Sequence, residues 1–256
     1  MKSKLLVVLA VIIVAGLLTA CAVVKGSGQL KTEGMDFSDF TRVEVGGAFE
    51  VEIVQSDRFS VSITADDNLF DYIQVSKHGS TLKIGVKPAV VFRSATYRAE
   101  ITMPQLLSLE LSGATQGVVT GFESMEDLDI EVSGASSLDL DGIMAGNMTF
   151  DISGASQVIG EVDANDVEFG VSGASTVRLQ GTAADMELDL SGASNAELEN
   201  IPVNDADVNL SGASRATVDV DGRLDVNLSG ASKLTYAGNP TIGNVDISGA
   251  STMKNK

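Results

Sequence analysis

The sequence predicts an all-β protein: a solenoid of parallel strands in coils of about 20 residues, preceded by a small β domain that covers its first coil. The first observation is a repeat. The tetrapeptide Ser-Gly-Ala-Ser, or a near copy ending in Thr, begins at Ser112, Ser133, Ser153, Ser172, Ser191, Ser211, Ser229 and Ser248, at spacings of 18 to 21 residues. A fixed period of that length marks units that cannot bury an apolar face alone and must stack on their neighbours. The second is period-two alternation. One residue before each motif stand Leu111, Val132, Ile152, Val171, Leu190, Leu210, Leu228 and Ile247, and two residues earlier Leu109, Ile130, Phe150, Phe169, Leu188, Val208, Val226 and Val245. Polar residues separate the two columns at all but one step (Gly170), as in a strand with one buried face. The third is that apolar residues at helical spacing are not evident in this half of the chain.

The elements follow in order. Residues 1–20 read as a signal peptide, with Lys2 and Lys4 ahead of the apolar run Leu5 to Leu18. Leu18-Thr19-Ala20-Cys21 closes it as a lipobox does, which makes Cys21, the only Cys in the chain, the expected lipid-attachment residue. Acyl chains contribute about 0.8 kcal/mol per buried methylene, so the mature protein is expected to be held on the membrane by its lipid. Ala22, where an Asp would signal inner-membrane retention, points to the outer membrane. Residues 21–36 read as the lipidated Cys and a flexible tether, rich in Gly. Residues 37–107 read as the N-terminal β domain, with alternation at Phe49 to Ile53, Phe59 to Ile63, Leu82 to Val86 and Ala99 to Met103, and at most a helical turn at Asn68 to Tyr72. Residues 108–252 form the solenoid. Each unit holds two strand-like runs, with the motif at one bend and turns such as Asp141-Gly142, Asp221-Gly222 and Asn239-Pro240 at the other. Residues 253–256 read as a polar tail.

The motif is expected to be architectural: Gly for a bend closed to other residues, Ala for a narrow interior, and hydroxyls bonding up the column. The period of two carries Gly and the second Ser inward unless the corner resets it. A hydroxyl stripe serving as a ligand surface is the functional alternative.

Composition limits the chemistry. The formal charge is −18, and removal of residues 1–20, with two Lys and no acid, leaves −20, which argues against nucleic acid and against attraction to anionic headgroups. With one His and one Cys the chain lacks a zinc cluster or redox couple, and no cofactor or metal site is expected. Asp127 and Asp129, Asp139 and Asp141, Asp205 and Asp207, and Asp219 and Asp221 form pairs at alternate positions, about 7 Å apart and within the range of inverting glycosidases. Asp is also common at strand ends and turns, and Arg178, Arg215, Arg223 and Lys233 are the main basic companions, so no catalytic residue is assigned. His78, beside Gly79, is expected in a solvated turn. Glu110, Glu131, Asp151, Asp189 and Asp246 form an acidic column interrupted by Gly170, Asn209 and Asn227; a solvated face is favoured over Ca²⁺ binding, because the calcium-binding nonapeptide is absent.

Gly47-Ala48-Phe49-Glu50-Val51, Leu82-Lys83-Ile84, and Ile101-Thr102-Met103-Pro104-Gln105-Leu106 followed by Leu109-Glu110-Leu111-Ser112-Gly113 resemble the bacterial auto-transporter adhesin head-GIN domain family. The resemblance covers roughly residues 37–250. It implies a right-handed β-helix like that of pectin lyases, without catalytic residues, in an adhesin-like role. The expected protein is a non-enzymatic, lipid-anchored envelope module whose rod binds a polysaccharide or a protein. The alternatives are a carbohydrate-active β-helix and an envelope component assembling end to end through its open last coil, an edge that the Lys residues of the tail oppose.

Overall fold

The computed structural model describes residues 22–256, so the signal-peptide and Cys21 readings lie outside the described residues. The architecture is the all-β solenoid that the repeat predicts. From Ser108 onward the chain alternates between two sheets. The front sheet takes Ser108–Ser112, Leu128–Val132, Met148–Ile152, Asp166–Val171, Asp185–Leu190, Asp205–Leu210, Arg223–Leu228 and Thr241–Ile247. The rear sheet takes Gln116–Thr120, Ser137–Met144, Gln157–Asp163, Thr176–Thr182, Asn195–Val203, Arg215–Val220, Lys233–Ala237 and Thr252–Asn255. Neighbours within each sheet are parallel and pair column on column, Leu109 with Ile130, Ile130 with Phe150, Phe150 with Phe169. At about 4.8 Å per strand the eleven- and twelve-stranded sheets make a body about 50 Å long.

The core is the set of inward columns. Both apolar columns before the motif are buried from Leu109 to Leu228. Phe150 and Phe169 stack with centroids 4.9 Å apart and 15° between planes, so adjacent coils bring like side chains into contact at the strand spacing. Val245 and Ile247 in the last coil stay 44% and 42% exposed, because a neighbour lies on one side of them only.

The N-terminal strands belong to the same two sheets. Arg42–Gly46 pairs in parallel with Ser108–Ser112, and Glu50–Gln55 with Gln116–Thr120. Beyond them the direction changes: Ile73–His78 runs antiparallel to Thr81–Val86, and Ser60–Asp66 lies antiparallel between Tyr97–Met103 and Leu30–Met35. These antiparallel strands terminate the parallel stack, and Phe40, Phe49 and Leu69 fill the end of the core. A 3₁₀ turn, Asp67–Tyr72, stands where the helical turn is expected.

Two segments differ from expectation. The region expected as a flexible tether forms strands Ala22–Lys25 and Leu30–Met35. The physical reason is Asp66, 2% exposed, whose carboxylate accepts the backbone N–H groups of Gly28 at 2.5 Å and Thr96 at 2.8 Å and so ties the Gly-rich link down. The polar tail joins the strand Thr252–Asn255, paired with Lys233–Ala237, because the rear sheet offers it an open edge.

Candidate functional site

The motif builds one corner of every coil. Its Gly residues hold φ between 71° and 80°, and the next backbone passes so close that a Cβ on Gly192 would lie 2.5 Å from the Gly173 oxygen. Only Gly meets both conditions. The corner is itself a ladder, with Ala193 N–H donating to Gly173 O at 2.8 Å and Ala213 to Gly192 at 2.7 Å. The second Ser of each copy turns inward, and Ser136, Ser156, Ser175, Ser194, Ser214 and Ser232 are at most 2% exposed. Ser194 Oγ donates to Ser191 O in its own coil at 2.7 Å, a bond repeated at Thr115, Ser136, Ser156, Ser214 and Ser232. Links between coils run both ways: Thr115 N–H donates to Ser136 Oγ at 3.3 Å, and Ser194 Oγ donates to Val171 O at 3.4 Å. Gly and Ala face outward, correcting the expectation of an inward Gly and an interior Ala; the left-handed Gly puts both on the convex side of the bend. The motif is therefore a corner with an exposed Gly-Ala ledge.

Beside this ledge lies the outer face of the front sheet, which is strongly acidic. The eight strands of this sheet from Ser108 to Ile247 carry thirteen carboxylates and, in Arg223, one cation. The corresponding rear strands carry seven carboxylates and four cations, Arg178, Arg215, Lys233 and Lys254. In-register stacking aligns like with like, placing Glu44, Glu110, Glu131 and Asp151 in one column and Glu168, Glu187 and Asp207 in another. Burial first, then Glu44 and Glu131, pushes the Glu110 carboxyl above the usual range, against the pull of Lys83. Burial, then Glu168, Asp189 and Asp207, does the same at Glu187.

Two depressions run along this face. One, of about 430 Å³, borders the ledge and is lined by Glu131, Asp151, Asp189 and the first Ser of several copies. It opens where Gly170, Asn209 and Asn227 interrupt the acidic column, since all three line it. The other, of about 580 Å³, includes Asp129, Glu168, Asp185, Glu187, Asp207 and Arg223.

The paired carboxylates do not share one role. Asp127 accepts the Asn147 N–H at 2.8 Å and Asp205 the Arg223 N–H at 2.7 Å, so each spends an oxygen on the second bend of the next coil. Asp185 and Asp225 do likewise toward Asp205 and Asn244. Asp225 is also gripped by the Arg223 guanidinium, and this pair with the Asn244 N–H lowers its pKa to about 2. Asp139 and Asp141 lie on the rear sheet, as does Asp219. His78 is exposed at a strand end. Among the described residues no group of three or more His, Cys, Asp or Glu could hold a metal ion, and no helix is long and apolar enough to cross a membrane. The acidic face as a whole, rather than any pair, is what residue-by-residue inspection misses; the signal was present in the column two positions upstream of the Glu131 to Asp246 one, at Asp129, Glu168, Glu187, Asp207 and Asp225.

A family model described as "Putative auto-transporter adhesin, head GIN domain" matches residues 39–240. The chain belongs to this family. Proteins of known structure share its fold at low identity. A "putative adhesin" from Parabacteroides merdae ATCC 43184 is 20% identical with a TM-score of 0.86, covering 92% of this chain and 99% of that one. A "putative adhesin" from Parabacteroides distasonis ATCC 8503 is 20% identical with a TM-score of 0.85, covering 91% and 100%. A "putative lipid binding protein" from the same organism is also 20% identical, with a TM-score of 0.78 and coverage of 91% and 99%. Among curated proteins none matches the chain.

Proposed function

We propose that this head-GIN protein is a non-enzymatic, adhesin-like module of the cell envelope, lipid-anchored through Cys21 at the outer membrane, that binds its partner with the acidic front face. The observation that carries this reading is the contrast between faces: thirteen carboxylates with one cation in front, seven with four behind. A rigid surface of one sign favours a partner of the other sign and speeds encounter with it, more so at low salt. A protein with a basic surface, or an amine-bearing polysaccharide, has that chemistry. The spread of carboxylates over many coils supports a flat, multipoint contact.

The anchor is tested by fractionation: Cys21→Ser should release the protein from membranes, and unchanged membrane retention defeats the lipoprotein reading. The face is tested by screening the mature protein against glycans and envelope proteins, then repeating with Glu168→Gln/Glu187→Gln/Asp207→Asn. Binding should fall with those substitutions and with added salt. Binding that survives both refutes the acidic face, and release of sugar fragments from a polysaccharide, lost on Asp-to-Asn change, would put the carbohydrate-active alternative in its place.

A further inference from the structure

The strand Ala22–Lys25 lies directly after Cys21 and pairs in parallel with Val90–Arg93, making a two-stranded ribbon apart from the two main sheets. Its register is Val23 with Val91, Val24 with Phe92 and Lys25 with Arg93. One face packs inward. Phe92 meets Tyr97 edge-on at 5.1 Å and Tyr72 at 6.3 Å, and Tyr97 meets the fully buried Phe49 at 5.0 Å, so an aromatic chain joins the ribbon to the core. The other face is unpartnered. Val23 is 59% and Val91 47% exposed, and by strand alternation Lys25 and Arg93, both exposed, share that face. Among the described residues neither cation makes an ion pair.

We infer that this ribbon face is a membrane-contact surface, seating the anchored end of the protein on an anionic phospholipid bilayer. The order of groups fits an interface: two aliphatics beside the acylated residue, then two cations about 7 Å farther along the strands, at the depth of headgroup phosphates. The charge along the molecule selects the same end. Residues 22–107 hold nine Lys and Arg against eleven Asp and Glu, whereas residues 108–256 hold six against twenty-four. A negatively charged leaflet therefore repels the solenoid and tolerates the N-terminal end, and that repulsion fades beyond a Debye length of about 8 to 10 Å. Ribbon contact and rod repulsion together stand the acidic face clear of the bilayer. The inference rests on the Cys21 anchor proposed above.

The chain has no Trp, so a single introduced one reports its own surroundings. Full-length acylated Val91→Trp protein is reconstituted into phosphatidylethanolamine–phosphatidylglycerol vesicles whose acyl chains carry bromine. Emission should shift to the blue and be quenched, while Ile242→Trp, at the far end of the front sheet, should be unaffected. In the Val91→Trp background, Lys25→Gln/Arg93→Gln should reduce quenching, with circular dichroism confirming the fold. Vesicle-bound protein with an unquenched residue 91, or with equal quenching at 91 and 242, overturns the inference while leaving the anchor intact. Failure of the anchor shows separately, as Cys21→Ser fractionating like the parent; the same quenching, with vesicles added in excess, then decides for or against the ribbon.

Discussion

Replacing Gly192 with Ala tests the corner that every coil depends on. The residue sits at φ 74°, and the added Cβ would lie 2.5 Å from the Gly173 oxygen and 3.1 Å from its nitrogen. A left-handed conformation costs an L-residue about 1 to 2 kcal/mol. The clash is with backbone, so relief requires moving the coil and weakening the 2.8 Å bond from Ala193 N–H to that same oxygen, worth about 0.5 to 1.5 kcal/mol. The expected loss is about 2 to 3 kcal/mol, or about 5 to 10 °C in melting temperature for a protein of this size. Urea and thermal unfolding followed by circular dichroism measure it. Ala193→Ser is the control, since that side chain faces solvent and should stay within about 0.5 kcal/mol of the parent. A Gly192→Ala protein as stable as the control would refute the corner's claim on Gly.

Phe169→Ala removes a ring 1% exposed and stacked on Phe150, and should cost about 3 to 5 kcal/mol in the same unfolding assay, with Phe169→Leu losing less than half as much. Asp66→Ala should free the N-terminal strands by removing the acceptor for Gly28 and Thr96, at about 2 to 3 kcal/mol; limited trypsin digestion should then cut at Lys25 and Lys31 before the solenoid is touched, and unchanged digestion would count against the tie. Thermal stability should peak in weakly acidic solution. Glu110 and Glu187 have raised pKa values, so their burial and repulsion penalties are relieved as pH falls and return as pH rises through the folded values. Asp225 acts oppositely, its contribution present above the ordinary Asp range and lost as pH falls toward about 2. Glu187→Gln should flatten the decline toward neutrality, and a melting temperature that rises steadily to neutral pH would contradict the stacked-carboxylate reading.

Much of the fold was legible because a coil repeats the same environment. Each inward position recurs about every 20 residues, so Leu109, Ile130, Phe150 and Phe169 read as a column before any coordinates. The corner was legible as a bend, but not its facing. Period-two extrapolation holds within a strand and places Ser194 inside, as observed, but it fails at the left-handed Gly192, which lies outside. The candidate site was half visible. The Glu110 to Asp246 column stood out beside the motif, yet its extension to Glu44 and Lys83 joins residues distant in the chain and needed the observed register.

By itself, then, the sequence determined the solenoid, its period, its buried columns and the excess of acid, because these are local patterns repeated along the chain. Tertiary structure alone decided which face collects the acid, how Asp66 ties down the link after the first strand, and that Val23 meets Val91. Those outcomes depend on pairings between segments far apart in the chain, where geometry rather than periodicity chooses the partner.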